Sequence, residues 1–318
     1  MNNLKIDGYT SVLIAASLWA TLGLFYKGLV QWYGMSLIGI VFWRALVASL
    51  ILFTILKLVS RRQLVIARKD VWVFLGLGSA GVAGFFAVYI YAINQIGMGI
   101  AAVLLYNTAP VWVATFSVLV LKEHMTVAKN TALILTVVGM ILVGYRYYFE
   151  NLSLGVVGIG AGLGSGLGYA AHILFSKAAV QRGYSPWAIN AYGFGIGALI
   201  LLLFQDSSEI VQVVSNWRIL IWLVLLGLLP TLGGGVAFYF GLKKMPASDA
   251  SILATLEPVI AAVLGWFVFS EYLEIPQIIG GMFIIVSVIL IQLSNRRLEH
   301  KVSQPIQEEI TGFGVDTK

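Results

Sequence analysis

The chain has no cysteine, and only 11% of its 318 residues are charged. The first absence excludes disulfides, thiolate zinc sites and iron–sulfur clusters. The second is hard to reconcile with water. A soluble domain carries about 25% charged residues, whereas here 59% of residues are hydrophobic and mean hydropathy is +0.92. Histidine is also scarce: His124, His172 and His300 lie far apart in sequence, which argues against a histidine metal centre. Catalytic signatures are missing as well. There is no HExxH, GxGD or GxxxxGK[ST], and Ser165 has Leu163 where a nucleophile elbow needs glycine. Rings of like charge and filter loops, the marks of a channel, do not occur. The chain is therefore read as neither an enzyme nor an ATP-driven pump, and no cofactor or metal is implied.

What it has instead is long apolar runs. Ten are read, at 9–31, 35–59, 71–93, 98–121, 126–145, 154–178, 186–204, 217–241, 246–270 and 275–294, each near the ~20 residues a helix needs to cross a bilayer. The expected fold is all-α and integral to the membrane, with ten transmembrane helices. Residues 1–8 form a polar lead. The first run is long for a signal peptide and lacks a small-residue cleavage site, so it is kept as a helix. The polar tail 299–318 is expected to be disordered.

The net charge of +6 does not point to nucleic acid, because the cations alternate between loops. Lys5, the stretch Lys57–Lys69, Lys122, Lys129, Lys177, Arg182, Lys243, Lys244 and the Arg296–Lys318 tail fall on one side. Only Arg146 and Arg218 fall on the other, and Lys27 and Arg44 lie within runs. The positive-inside rule then predicts a multi-pass cell-membrane protein with both termini cytoplasmic.

The chain also repeats itself. LYNTAPVWVATFSVLVLKE (105–123) is echoed by LATLEPVIAAVLGWFVFSE (253–271), with Pro110 and Pro258 148 residues apart. Phe25-Tyr26-Lys27 reappears as Phe175-Ser176-Lys177, and Val30-Gln31 as Val180-Gln181. This gives a first repeat at 9–145 and a second at 154–294, each of five helices. An odd number inverts the second repeat relative to the first. Inverted repeats place a binding site near the midplane where the halves meet, and they permit alternating access.

The paired segments APVWVATFSVLVLKE…ILTVVGMILV and EPVIAAVLGWFVFSE…IIGGMFIIVSVIL, with the arginine of FWRA in the second run, resemble the EamA domain of the drug/metabolite transporter superfamily. The resemblance covers residues 9–294. One departure is Ser287, which stands where the first repeat has Gly139. The resemblance implies a ten-helix secondary carrier, in bacteria often an exporter of amino acids or related metabolites. Its partners would be an amino-acid-like small molecule and the lipid bilayer, with the chain a monomer or a homodimer.

Two charges lie inside runs. Glu257 is about 16 Å from the inner end of the ninth run and Arg44 about 12 Å from the outer end of the second. An isolated charge in hydrocarbon is costly, and intramembrane ionisable groups mark function by default. Glu257 reads as a proton-coupling residue or a partner for a substrate amine. The alternative is a structural carboxyl beside backbone opened by Pro258. Arg44 can grip a carboxylate with two parallel hydrogen bonds, or it can form an internal ion pair, with Glu257 as one partner. His172 is a second coupling candidate, against a packing role. Trp19, Tyr106, Asn107, Tyr169, Asn190 and Tyr192 lie deep enough to line a binding cavity, although core packing is the commoner fate of such residues. Lys27 and Lys177 are expected to snorkel to the interface, and Glu123 and Glu271 to be solvated or to cap helix ends. Gly158, Gly162 and Gly166, and likewise Gly160, Gly164 and Gly168, read as two stripes for close helix approach. Gly233-Gly234-Gly235 after Pro230 reads as a bend.

Overall fold

The structure is a computed structural model in which residues 7–145, 155–270 and 272–312 are described. Arg146, Glu271 and the stretches 1–6 and 313–318 lie outside them, and from 295 onward only the backbone is described. No strand occurs among the described residues. Among the described residues nine helices are long and apolar enough to cross a membrane: α1 Gly8–Tyr33, α2 Leu37–Val59, α3 Arg68–Ile96, α4 Met98–Leu119, α6 Val156–Gln181, α7 Pro186–Phe204, α8 Trp217–Leu242, α9 Ala247–Val268 and α10 Ile275–Ser294. Between α4 and α6 lies a shorter apolar helix, α5 Val127–Val143. Its 17 residues leave the expected ten-span count resting on a helix below the usual crossing length.

The helices start where side chains can satisfy their free amides. Asp7, Ser36, Thr126 and Ser185 accept from the N–H groups of Thr10, Gly39, Lys129 and Ala188 at the heads of α1, α2, α5 and α7. Pro186 sits in the first turn of α7, where its missing N–H does no harm. Gly34 and Gly97 end α1 and α3 with φ of 65° and 80°, backbone that disfavours any side chain. The backbone of α10 continues as helix to Gly312, within the polar tail.

Packing is symmetric between the halves. α3 and α4 both lie on α6, and their counterparts α8 and α9 both lie on α1; α2 packs on α7, and α5 on α10. Exchanging the halves maps the first two pairs onto the next two and each of the last two onto itself. Two widened π turns obey the same exchange. One is Ser79–Gly84 in α3 and the other Gly227–Gly233 in α8; they begin 148 residues apart, the offset of the two prolines. The second ends on Gly233, the first of the triple glycine expected to bend, and it contains Pro230. The first has no proline.

Glycines let the helices meet. A Cβ at Gly162 would strike Leu104, one at Gly166 Thr108, and one at Gly280 the carbonyl oxygen of Gly139. The stripe 158/162/166 is thus an interface with α3 and α4. Of the other stripe only Gly168 is tight, against the backbone of Phe85; Gly160 faces open space and Gly164 makes ordinary contact. Ser287, the departure from the repeat, shares a 2.9 Å hydrogen bond with Thr136 across the α5–α10 seam.

The two ends of the bundle are tied differently. At the lysine- and arginine-rich end, the Glu123 carboxylate accepts from the N–H groups of Ala247 (2.7 Å) and Ser248 (3.2 Å) and from the Ser248 hydroxyl (2.7 Å). It thereby caps α9 from the other half. Lys129 pairs with Asp249 at 2.8 Å, both side chains buried. Lys177 does not snorkel: it is buried and donates to the carbonyls of Leu242 (2.7 Å) and Met245 (2.6 Å), which the end of α8 leaves without a helical N–H. At the opposite end the short helix Ser207–Ser215 sends Glu209 to the N–H and hydroxyl of Ser36 (3.0 and 2.7 Å) and Gln212 to the carbonyl of Tyr33. The Asp206 carboxyl that caps this helix is held below its usual range by hydrogen bonds from Ser208.

Candidate functional site

Proline has no N–H to give the carbonyl four residues before it, and its ring crowds that carbonyl, which favours a kink or break there. α9 accordingly breaks at Thr255 and restarts at Leu256, which places Glu257 in a first helical turn. In the first repeat Pro110 lies inside an unbroken helix, and no acid accompanies it. Glu257 Oε1 accepts a 2.7 Å hydrogen bond from the Tyr106 hydroxyl on α4. Tyr106 faces Tyr169 edge-on at 6.5 Å, and Tyr169 packs against Phe85, which in turn stacks with Tyr89. Phe86 and Tyr89 close the same aromatic group. Phe86 then reaches Arg44, whose guanidinium carbon stands 4.6 Å over the ring.

Arg44 is only 3% exposed. Its Nη1 donates to the Thr231 hydroxyl at 3.3 Å, Tyr26 lies against it, and its Nε has no partner. No ion pair joins Arg44 to Glu257 among the described residues, though the two are near enough to feel each other's charge. Tyr26, Phe86, Tyr89, Tyr106, Tyr169 and Glu257 are only half-buried although protein atoms surround the tyrosines and the acid. Accessible surface therefore remains on these side chains inside the bundle, between the buried cation Arg44 on one side and the Glu257 carboxyl on the other. Such a site can hold a small molecule bearing both an anionic and a cationic or aromatic group.

Of the residues singled out in the sequence, Arg44, Glu257, Tyr106 and Tyr169 come together here. His172 stacks on Tyr169 at the edge of the group, with both ring nitrogens engaged. Nδ1 meets the carbonyl of Gly81 (3.1 Å), which can only accept, so Nδ1 carries the proton and Nε2 accepts from the Tyr239 hydroxyl (3.0 Å). That is a bracing role, and its target is the π turn of α3. Asn107 is buried beside Tyr106. The other three lie elsewhere. Trp19 packs on Phe238 at 5.1 Å. Asn190 is fully buried and donates to the carbonyls of Thr231 and Leu232 in the π turn of α8. Tyr192 donates to the carbonyl of Leu64 at 2.7 Å and wedges between Phe53 and Phe74, so it anchors the loop after α2. Sequence reasoning passed over Tyr26, Phe86 and Thr231. The one available signal was Pro230 in an apolar run, which marks backbone needing outside partners.

The profile of the EamA-like transporter family matches residues 7–145 and 156–293, once over each half. The chain belongs to the EamA-like transporter family. A protein of Archaeoglobus fulgidus named "Uncharacterized transporter" is 37% identical over 205 residues, which are 64% of this chain and 70% of its own. The "Uncharacterized inner membrane transporter YicL" of Salmonella typhimurium is 27% identical over 91% of this chain and 96% of its own. A crystal structure with 17% identity superposes with a TM-score of 0.73, covering 92% of this chain and 98% of that one, and shows the same fold. A multi-pass transporter of this family is thus the setting in which this cluster has to be understood.

Proposed function

We propose that this EamA-family protein is a secondary carrier for an amino-acid-like metabolite, working as an exporter by alternating access of two inverted five-helix halves. In this reading α5 completes the ten spans, and both termini face the cytoplasm. The observation that carries it is the pair Arg44 and Glu257: one from each half, both at the same aromatic cluster and not bonded to each other. An unpaired guanidinium in a largely apolar interior suits a carboxylate ligand, since the alternative is an uncompensated buried charge. Glu257 meets the substrate's amine or carries a coupling proton. His172, with both nitrogens committed, is the weaker coupling candidate.

The test is uptake of labelled L-amino acids, singly and as a mixture, into proteoliposomes with and without a pH gradient. Wild-type protein is expected to carry at least one of them. Arg44→Lys keeps the charge and loses the paired donors, so the half-saturation concentration is expected to rise by about 10-fold, the size of a 1–2 kcal/mol loss. Glu257→Gln is expected to abolish the response to the pH gradient while exchange across equal pH persists. A well-folded Arg44→Lys protein with unaltered affinity would dispose of the proposal.

A further inference from the structure

Thr231 has no apolar reason to be where it is. It is 1% exposed, in the middle of α8, and valine would fill the same space. A hydroxyl offers one proton and two lone pairs. The proton goes to the carbonyl of Leu226 at 2.8 Å, five residues back across the π turn. That bond turns the lone pairs outward, and one of them receives Nη1 of Arg44 from α2 at 3.3 Å. The turn is itself held from a third helix, since Asn190 on α7 donates to the carbonyls of Thr231 and Leu232 at 3.4 and 3.2 Å. At the head of the turn Gly227 brings α8 against α2, where an added Cβ would meet Val47 and, at 3.4 Å, the carbonyl oxygen of Arg44.

We propose that Thr231 is a positioning residue for Arg44. It pins one end of the guanidinium, whose central carbon stands 4.6 Å over the Phe86 ring and whose Nε is buried with no partner in the protein, free for a carboxylate that reaches it. The widened turn of α8 sets which carbonyl Thr231 bonds: threonines in the regular helices here donate four residues back, as Thr54 does to Leu50 and Thr115 to Val111, whereas Thr231 reaches Leu226, five residues back. Because Thr231 and Arg44 belong to different halves, a ligand that draws the guanidinium away loosens a contact between them. This inference rests on the reading of Arg44 as the carboxylate-binding group, but the pinning itself is measurable without any substrate.

The measurement is the rate at which phenylglyoxal modifies Arg44, followed by peptide mass spectrometry on protein in lipid nanodiscs, for wild type, Thr231→Ala, Thr231→Val and Thr231→Ser. Uptake of a labelled mixture of the twenty L-amino acids is followed in parallel. Thr231→Val keeps the side-chain volume, so a folded sample remains if the alanine variant is lost. The expected result is several-fold faster modification of Arg44 in the alanine and valine variants and a near wild-type rate in the serine variant. Half-saturation for uptake is expected to rise roughly 10-fold in the first two, on the scale of one hydrogen bond to a charged group, with maximal rate retained. Unchanged modification in Thr231→Val, or an equal rise in Thr231→Ser, would overturn the proposal. If the modification pattern holds while wild-type protein carries none of the mixture, Thr231 still positions Arg44 and it is the carboxylate reading that fails.

Discussion

At the scale of single residues, buried charges divide into those matched within the protein and those left at the aromatic cluster. Lys129 and Asp249 are matched, at 2.8 Å with almost no exposure. Breaking such a pair leaves one buried charge without compensation. Asp249→Ala is therefore expected to lower stability by about 3–5 kcal/mol, while the double variant Lys129→Met/Asp249→Leu recovers most of it; thermal unfolding in detergent checks both. Arg44 and Glu257 could be found in the sequence because each interrupts an apolar run, which is conspicuous against hydrocarbon. Lys129 and Asp249 could not, since each stands at the start of a run where a loop charge is ordinary. Only the fold brings them together, across 120 residues of chain. Tyr192 reads as a cavity wall from its depth; what sequence cannot give is the partner of its hydroxyl, the carbonyl of Leu64.

At the scale of helices, the apolar runs announced themselves by length, and their ends by Ser, Thr, Asp, Gly and Pro. Interruptions within them were harder to read. Pro230 and its glycines marked the π turn of α8, but Ser79–Gly84 holds the equivalent turn in α3 with no proline. What maintains it is tertiary: His172 from the other half takes the Gly81 carbonyl, and a Cβ at Gly81 would meet the backbone of His172. Such a partner is invisible in a window of local sequence. The glycine stripe gives a sharper contrast. Gly166→Leu would drive a side chain into Thr108 and the backbone of Ala109, whereas Gly160→Ala enters open space. The first is expected to abolish folded protein in the membrane fraction, and the second to accumulate like wild type, within about 0.5 kcal/mol of its stability or slightly above it. Fluorescence-detected size exclusion on the two variants separates these outcomes.

At the scale of the whole molecule, the repeat was readable because both halves keep the proline–apolar–glutamate pattern at a constant offset, and the exchange of packing partners agrees with it. Orientation rests on the loop cations alone. The absence of native cysteine makes that testable without background. A Val65→Cys variant, at an exposed loop position, is expected to react with an impermeant maleimide in inside-out vesicles and to stay unlabelled in intact cells. Labelling in intact cells would reverse the assignment. The opposite ends of the bundle also differ in how firmly they are tied. Ala247, Ser248 and Asp249 are consecutive, and all three are held by α5 or the loop before it, through Glu123 and Lys129. Any motion that lifts the head of α9 must break these contacts together, since no one of them can stretch while its neighbours on the same helical turn stay in place. Separation at that end is thus cooperative, closer to the release of a clasp than to the bending of a spring.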